Sequence, residues 1–252
     1  MNPVEYETMF RVEDTHWWYQ NLHALLETAL QRFLAPAANP ACLLDIGCGT
    51  GAALQRLQPL GTAHGLDIST EAIACCRRRG LDRLCRASAL DLPYATGSFD
   101  AAVLFDVFCH RQVPDAMLPL REAHRVLRPG GVAIANVPAY QWLYSSHDEA
   151  VHTARRFTRK EVLALLREAG FEIAYASHWN TLLFPPIVAV RLARRWLAPA
   201  ESDLEGARDG LVNKLLNALL GCERRLMQRT PLPFGLSIFV VARKPAAAPY
   251  SS

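Results

Sequence analysis

The run Leu43-Leu44-Asp45-Ile46-Gly47-Cys48-Gly49-Thr50-Gly51 governs how this chain reads: an apolar strand enters a turn with a glycine at every second position. Apolar residues side by side suit a strand buried on both faces, as in a parallel sheet covered by helices. Glycines let the backbone turn sharply and let a ligand approach at the C-terminal end of the strand. Alone, such a turn is weak evidence. Its weight comes from three further motifs placed after it in a fixed order.

Downstream, Gly65-Leu66-Asp67-Ile68-Ser69 closes a second apolar strand on an acidic residue that can accept both hydroxyl protons of a ribose. Next come Ala87-Ser88-Ala89-Leu90-Asp91-Leu92-Pro93-Tyr94 and Gly97-Ser98-Phe99-Asp100, which lead into a strand ending at Asp106. A helix then closes in the turn Pro129-Gly130-Gly131. Strands over 41–46, 62–67, 84–88, 100–106, 131–137 and 171–177 alternate with helical patterns, which predicts βαβ units and a parallel sheet. Ser69 caps a helix that Gly80 stops, and Thr158-Arg159-Lys160-Glu161 is a capping box opening a helix that Gly170 ends.

Before the first strand, residues 15–34 have helical character and are expected across the sheet's open edge or the cofactor mouth. Beyond residue 177 the alternation breaks. Pro185-Pro186 precedes an Arg-edged apolar helix over 187–197, then an acidic loop with Glu201, Asp203, Glu205 and Asp209, then an amphipathic helix over 211–228. Residues 235–244 form a final strand, and 245–252 a frayed tail. The insertion 180–234 is longer than a hairpin connection needs, so it is expected to roof a pocket, the alternative being contact with a bilayer through Arg191, Arg194 and Arg195. The short apolar helices and the four acids between them, which an anionic membrane would repel, favour the roof. One domain accounts for residues 1–252, with 1–40 as a helical cap and 41–177 as the core.

Hydrophobic residues make up 51% of the 252 and charged residues 20%, an ordinary balance for a chain that folds. A net charge of +3 is too small to imply a nucleic-acid partner. Arg77-Arg78-Arg79 reads as a solvated helix end rather than a phosphate site. The seven cysteines include no C-x-x-C pair, so free thiols are expected rather than disulfides or zinc. The N-terminus lacks the pattern of a signal peptide and no apolar stretch is long enough to span a membrane, which makes a cytoplasmic location the default.

The ordered motifs resemble the class I S-adenosylmethionine-dependent methyltransferases over residues 41–177. The resemblance implies a Rossmann-like, doubly wound, mostly parallel seven-stranded α/β sheet with an antiparallel last strand and a helical insertion before it. It implies S-adenosylmethionine as cofactor, with Asp45 at the methionine end and the Gly47, Cys48, Gly49 and Gly51 turn lining it. Asp67 would hold the ribose and Ile68 would pack on adenine. Ser88, standing where the family often has Asp, would read the adenine edge with Ala89 and Leu90, and Asp106 would face the sulfonium region. A nicotinamide cofactor uses the same sheet, but the turn reads G-x-G-x-G rather than G-x-G-x-x-G, and no lysine follows a tyrosine by four residues.

A second resemblance is to a bacterial subgroup of these enzymes with an N-terminal H-W-W segment. It rests on His16-Trp17-Trp18-Tyr19, Val137-Pro138-Ala139-Tyr140, Leu143-Tyr144-Ser145, His147-Asp148, His152 and Arg155-Arg156-Phe157-Thr158. Departures are Gln20, Leu22 and His23, where the subgroup carries Arg, and Thr153 in place of a second His. His147 and His152 are the candidate general bases, since the loop after the fifth strand opens on the cofactor's methyl end. The same residues with Asp148 also suit ion pairs to Arg155 and Arg156, or a divalent metal, though the ligand set is thin and no metal is expected. Trp18, Tyr19, Tyr140 and Tyr144, with Trp17, Trp142, Trp179 and Phe184 around them, are the candidate substrate walls. The expected activity is methylation of a largely apolar or aromatic small molecule, with oxygen, nitrogen and carbon acceptors all open. A lipid-linked substrate at a membrane surface and a non-catalytic cofactor-binding subunit are the alternatives.

Overall fold

In a computed structural model the described residues are 3–35, 40–197 and 210–246; the side chains of Pro3, Val4, His147 and residues 191–197 are not among them. The acidic loop residues Glu201, Asp203, Glu205 and Asp209 and the tail from 247 onward lie outside the described residues.

Among the described residues the chain forms one seven-stranded sheet. Its strands are β1 (Ala41–Ile46), β2 (Gly61–Asp67), β3 (Leu84–Arg86), β4 (Phe99–Phe105), β5 (Leu127–Pro138), β6 (Glu172–Trp179) and β7 (Ser237–Arg243). The order is β3-β2-β1-β4-β5-β7-β6, with β1 to β5 parallel and β7 antiparallel to both neighbours. The strand order reverses between β1 and β4. At such a switch point the connections diverge to opposite faces and leave a crevice at the strands' C-terminal ends. Asp45, the glycine turn and Asp106 all sit at that crevice.

The sheet's two faces hold separate cores because side chains alternate along a strand. Leu44, Ile46 and Leu104 pack with Leu120 and Val126 of α5 (Met117–Val126) and with Val162 and Leu166 of α7 (Arg159–Glu168). Leu43, Val103 and Ile134 point the other way. There they meet Leu26 of α2 (Trp17–Phe33), Leu54 of α3 (Ala52–Leu57), Cys76 of α4 (Thr70–Arg78) and Leu220 of α9 (Leu211–Met227). The caps read from sequence are present: Ser69 Oγ accepts from the Glu71 and Ala72 N–H groups, and Thr158 and Glu161 form a reciprocal capping box.

Five features differ from the sequence reading. A helix α1 (Pro3–Val12) precedes α2, and its Tyr6 is buried against α4. The second helix packs along a sheet face rather than across an edge, while its first turns stand at the cofactor mouth, the other place expected for it. β5 begins at Leu127, not Gly131, because the Pro-Gly-Gly turn is absorbed as a register irregularity between Phe99 and Ala101 of its neighbour. Helix α8 (Phe184–Leu197) begins before the Pro-Pro pair, since proline is tolerated in a first turn where the N–H has no intrahelical partner. A short helix α6 (Ser146–Ala150) carries His147.

Candidate active site

A cavity of about 760 Å³ opens at the C-terminal ends of β1, β2 and β4. At its inner end the glycine turn folds with left-handed φ at Gly47 (+70°), Gly49 (+54°) and Gly51 (+90°). A Cβ at Gly47 would meet Val107 Cγ2 at 2.9 Å, and one at Gly51 would meet Cys76 Sγ at 2.9 Å, so packing and backbone both demand glycine. Gly47 and Gly49 line the cavity; Gly51 lies behind them, at the start of α3. Four of the turn's N–H groups have partners within the protein. Those of Gly47 and Cys48 donate to Leu66 O, Gly51 N to Cys48 O, and Gly49 N to Asp67 Oδ2. The turn therefore shapes the cavity, and recognition falls to side chains.

The chief of these are carboxylates. Asp45 is buried and its Oδ2 has no hydrogen-bond partner in the protein. Burial, reinforced by Asp67 and Glu13, pushes it up to about 8. Asp106 is pushed up to about 7 by burial, against the opposing amide of Asn136 at 3.1 Å. Asp67 is raised by burial too, while the N–H groups of Ser69 (2.9 Å) and Gly49 (3.0 Å) hold it back. A carboxylate has about four lone-pair sites, so Asp67 keeps acceptor capacity after those two bonds. Ile68 presents an exposed apolar face to the cavity (45%) beside Ala87, Ser88, Ala89 and Leu90. Ser88 Oγ accepts from Leu90 N at 3.1 Å, which leaves its own O–H to donate.

This set fits S-adenosylmethionine. An orphaned buried carboxylate and a second raised one await a cation and its donors, Asp67 suits a ribose diol, and Ile68 suits a flat base. Clustered acids at a water-poor site bind cations because the bound charge offsets the burial that raised them. Asp45, Asp67, Asp106 and the Ser88 to Leu90 segment are the residues that would hold the cofactor.

Around this end the N-terminal helices close the cavity. Arg79, expected to be solvated with Arg77 and Arg78, is instead buried and acts as a clamp. It donates to Glu13 Oε1 (2.8 Å), Asp14 Oδ2 (2.9 Å) and Thr50 O (2.9 Å), tying the residues after α1 to the glycine turn. Thr50 Oγ1 also donates to Glu13. Burial still raises Glu13 to about 6. Met9, Tyr6 and Glu13 line the cavity, none of them anticipated. Their spacing of three and four residues is the signal that marks a helix face.

The sequence-derived substrate and catalytic residues separate in space. Trp18 and Tyr19 line the cavity; burial and the carboxylates of Glu13 and Asp106 hold the Tyr19 phenol far above its usual range. Tyr140 and Tyr144 do not line it: Tyr140 stacks on His178 with ring centroids 5.6 Å apart, and Tyr144 Oη donates to Thr153 O. Trp179 is core, its Nε1–H donating to Asn136 Oδ1 at 2.8 Å. His152 also lies outside the lining, its ring 5.9 Å from that of His110, which does line the cavity. Asp148 makes a buried two-point ion pair with Arg156 (2.9 Å to each oxygen), while Arg155 donates to the Val113 and Pro114 carbonyls. Among the described residues no group of three His, Cys, Asp or Glu is placed to hold a metal. The cysteines are free thiols.

Two lining histidines share one feature. His16 Nδ1 accepts from Trp18 N and His110 Nδ1 accepts from Gln112 N, each at 3.2 Å. Burial pushes both down to about 4, so near neutral pH each ring is uncharged. With Nδ1 accepting, the single proton sits on Nε2. Both are hydrogen-bond donors. Asn180, buried with an unpartnered Oδ1, adds an acceptor to the same wall.

Comparison with known proteins agrees with this geometry. A family model described as "Methyltransferase domain" matches residues 44–135. A ubiquinone/menaquinone biosynthesis C-methyltransferase of Paracoccus denitrificans is 31% identical over 60% of this chain and 73% of its own length. The 24-methylenesterol C-methyltransferase 2 of Oryza sativa subsp. japonica is 28% identical over 52% of this chain. This chain spans 41% of that relative's length, less than two thirds. Among solved structures the [4+2]-cyclase SpnF superposes with a TM-score of 0.59 at 25% identity, covering 91% of this chain and 83% of that one. With a mostly parallel sheet, a glycine turn between buried carboxylates and these relatives, the chain belongs to the class I S-adenosylmethionine-dependent methyltransferases.

Proposed function

We propose that the protein methylates a largely apolar or aromatic small molecule, as the family member whose N-terminal H-W-W segment builds part of the acceptor pocket. The observation that carries this is the wall of the cavity beyond the carboxylates. Trp17, Trp18, Phe105, Leu183, Ile187 and Leu216 are apolar, His16, His110 and Asn180 are neutral, and the charged Arg156 and Asp148 are paired with each other. A wall whose only charges are paired with each other favours an uncharged, apolar acceptor, because a charged one would lose its hydration without compensation. Two of the relatives above carry sterol and quinone C-methyltransferase names.

When bound, S-adenosylmethionine supplies an electrophilic methyl group on a sulfonium. The chain's own contribution is alignment and exclusion of water, which account for much of the rate of an in-line displacement. His16 and His110 offer Nε2–H donors and Asn180 an acceptor, so an oxygen on the acceptor is held rather than deprotonated by them. His147 and His152 are the proposed bases where the nucleophile carries a proton; His152 stands outside the cavity lining, its ring 5.9 Å from that of His110.

The test is transfer of a labelled methyl group from S-adenosylmethionine by the purified chain to a panel of phenols, quinols and sterols, with charged amines and nucleotides as controls. Label entering the apolar acceptors alone is the expected result. Preferential labelling of the charged set overturns the substrate class. Tight S-adenosylhomocysteine binding with no transfer to any acceptor would make the chain a cofactor-binding subunit.

A further inference from the structure

Helix α9 is apolar on two opposite faces. Its inner face packs Leu220 and Met227 into the core. Asn213 and Asn217 there bond the start of α2: Trp17 N donates to Asn213 Oδ1 at 2.9 Å, and Asn21 Nδ2 to Asn217 Oδ1 at 2.7 Å. The outer face shows Leu211 (73% exposed), Leu215 (60%), Leu219 and Leu226. Positions 211, 215, 218, 222 and 226 recur at helical spacing, so Leu211, Leu215, Ala218, Cys222 and Leu226 make one stripe. At 1.5 Å per residue the 17-residue helix gives it a length of about 25 Å.

Charge decides what fits there. Lys214 and Arg225 are exposed along the stripe's flank, and Arg229 is exposed just past the helix end. The helix's one acidic residue, Glu223, is buried on the inner face, accepting from Leu182 N at 2.9 Å. Among the described residues the exposed face of α9 is thus apolar with cations only; the acids Glu201, Asp203, Glu205 and Asp209 before it lie outside them. A second copy of this chain, related by a two-fold axis, would bring those cations against their own kind. Anionic headgroups complement them while the leucines enter the acyl boundary. The cavity lies behind the helix and opens beside it: Leu216, about 100° around the helix from Leu215 and half-buried, lines the cavity, as does the exposed Val190 of α8.

We propose that the outer face of α9 docks the protein on an anionic lipid bilayer, which places the cavity mouth at the membrane surface. Docking stands independently of the reaction assigned above; it adds the route by which a membrane-dissolved acceptor reaches Leu216 and Ile187 without crossing water. Among the described residues no helix is long and apolar enough to cross a membrane, so the contact lies in the interface.

The experiment is flotation with phosphatidylcholine vesicles, with and without phosphatidylglycerol, on the full chain. The wild type is expected to float with the anionic vesicles, less at high salt and less with phosphatidylcholine alone. The Leu211→Asp/Leu215→Asp double variant should lose on the order of a hundredfold in partitioning, since two leucine insertions are removed. Its thermal shift with S-adenosylhomocysteine should be unchanged, which shows the fold intact. Lys214→Glu/Arg225→Glu should abolish the preference for anionic vesicles. Wild-type protein that stays out of the vesicle fraction, or a leucine double variant that floats equally well, overturns the proposal. A concentration-dependent dimer dissolved by the leucine double variant also overturns it and assigns the face to a second copy. Loss of methyl transfer with flotation intact would fault the reaction and not the docking.

Discussion

Replacing Asp45 with Asn keeps the shape of the side chain and removes its ionisation, and the two consequences have opposite signs. In the folded protein Asp45 titrates at about 8. In an unfolded chain an Asp titrates near about 3.9. Between those values the folded state holds a proton that the unfolded state has released, so wild-type stability falls as pH rises, by about 1.4 kcal/mol per pH unit from this residue. At pH 7 the accumulated cost is about 4 kcal/mol. Asn carries no such cost, but its amide donor meets the same empty surroundings that leave Asp45 Oδ2 unpartnered, a penalty of about 1–3 kcal/mol. The net gain for Asp45→Asn is about 2 kcal/mol at pH 7, or about 4–8 °C in melting temperature for a chain of this length. The advantage over wild type should grow from about pH 4 to about pH 8 and then level off. Cofactor affinity should move the other way: losing a charge-assisted bond to the methionine end costs about 1.5–3 kcal/mol, on the order of tenfold to a hundredfold. Calorimetric melts across that pH range, with titration of S-adenosylmethionine at each pH, check both. An Asp45→Asn variant less stable at every pH, with unchanged cofactor affinity, would show that Asp45 is a structural residue with no part in binding.

Asp67→Ala should weaken S-adenosylmethionine and S-adenosylhomocysteine alike by about 1.5–3 kcal/mol in titration calorimetry. Because Asp67 also holds Gly49 N and Ser69 N, Asp67→Asn should recover part of the stability lost. Arg79→Ala leaves Glu13 buried without its partner and should cost about 3–5 kcal/mol in urea unfolding, most of it recovered when Glu13 is also made Gln. Turnover should survive EDTA; restoration by added magnesium or zinc after a loss would make His147, Asp148 and His152 ligands. Leu216→Asp puts a charge in the cavity wall and should raise KM for an apolar acceptor at least tenfold while cofactor affinity holds, a split that steady-state kinetics reads directly.

The alternation of strands and helices, the caps at Ser69 and Thr158, and the turn from Gly47 to Gly51 with Asp45 and Asp67 at strand ends are all legible along the chain. They arise from contacts within a few residues: side-chain period, glycine at left-handed φ, an oxygen reaching an N–H one turn on. The family resemblance added the antiparallel last strand and the cofactor. Which polar residues are buried, and whom they meet, was settled by tertiary contacts. Arg79 reads as one of three solvated arginines until Glu13, 66 positions earlier, arrives beside it. His110 lines the cavity where the motif pointed to His152, and a bridge between His110 and Thr153, 43 positions on, brings the two segments together. Asn213 and Asn217 are unremarkable in a helix until α2 supplies partners some 196 positions away. Asp45 acquires its raised titration when folding buries it away from water, an effect reinforced by Asp67 from β2 and by Glu13 from just after α1. Local pattern is encoded in neighbours along the chain; desolvation and pairing are properties of neighbours in space, and only folding makes them.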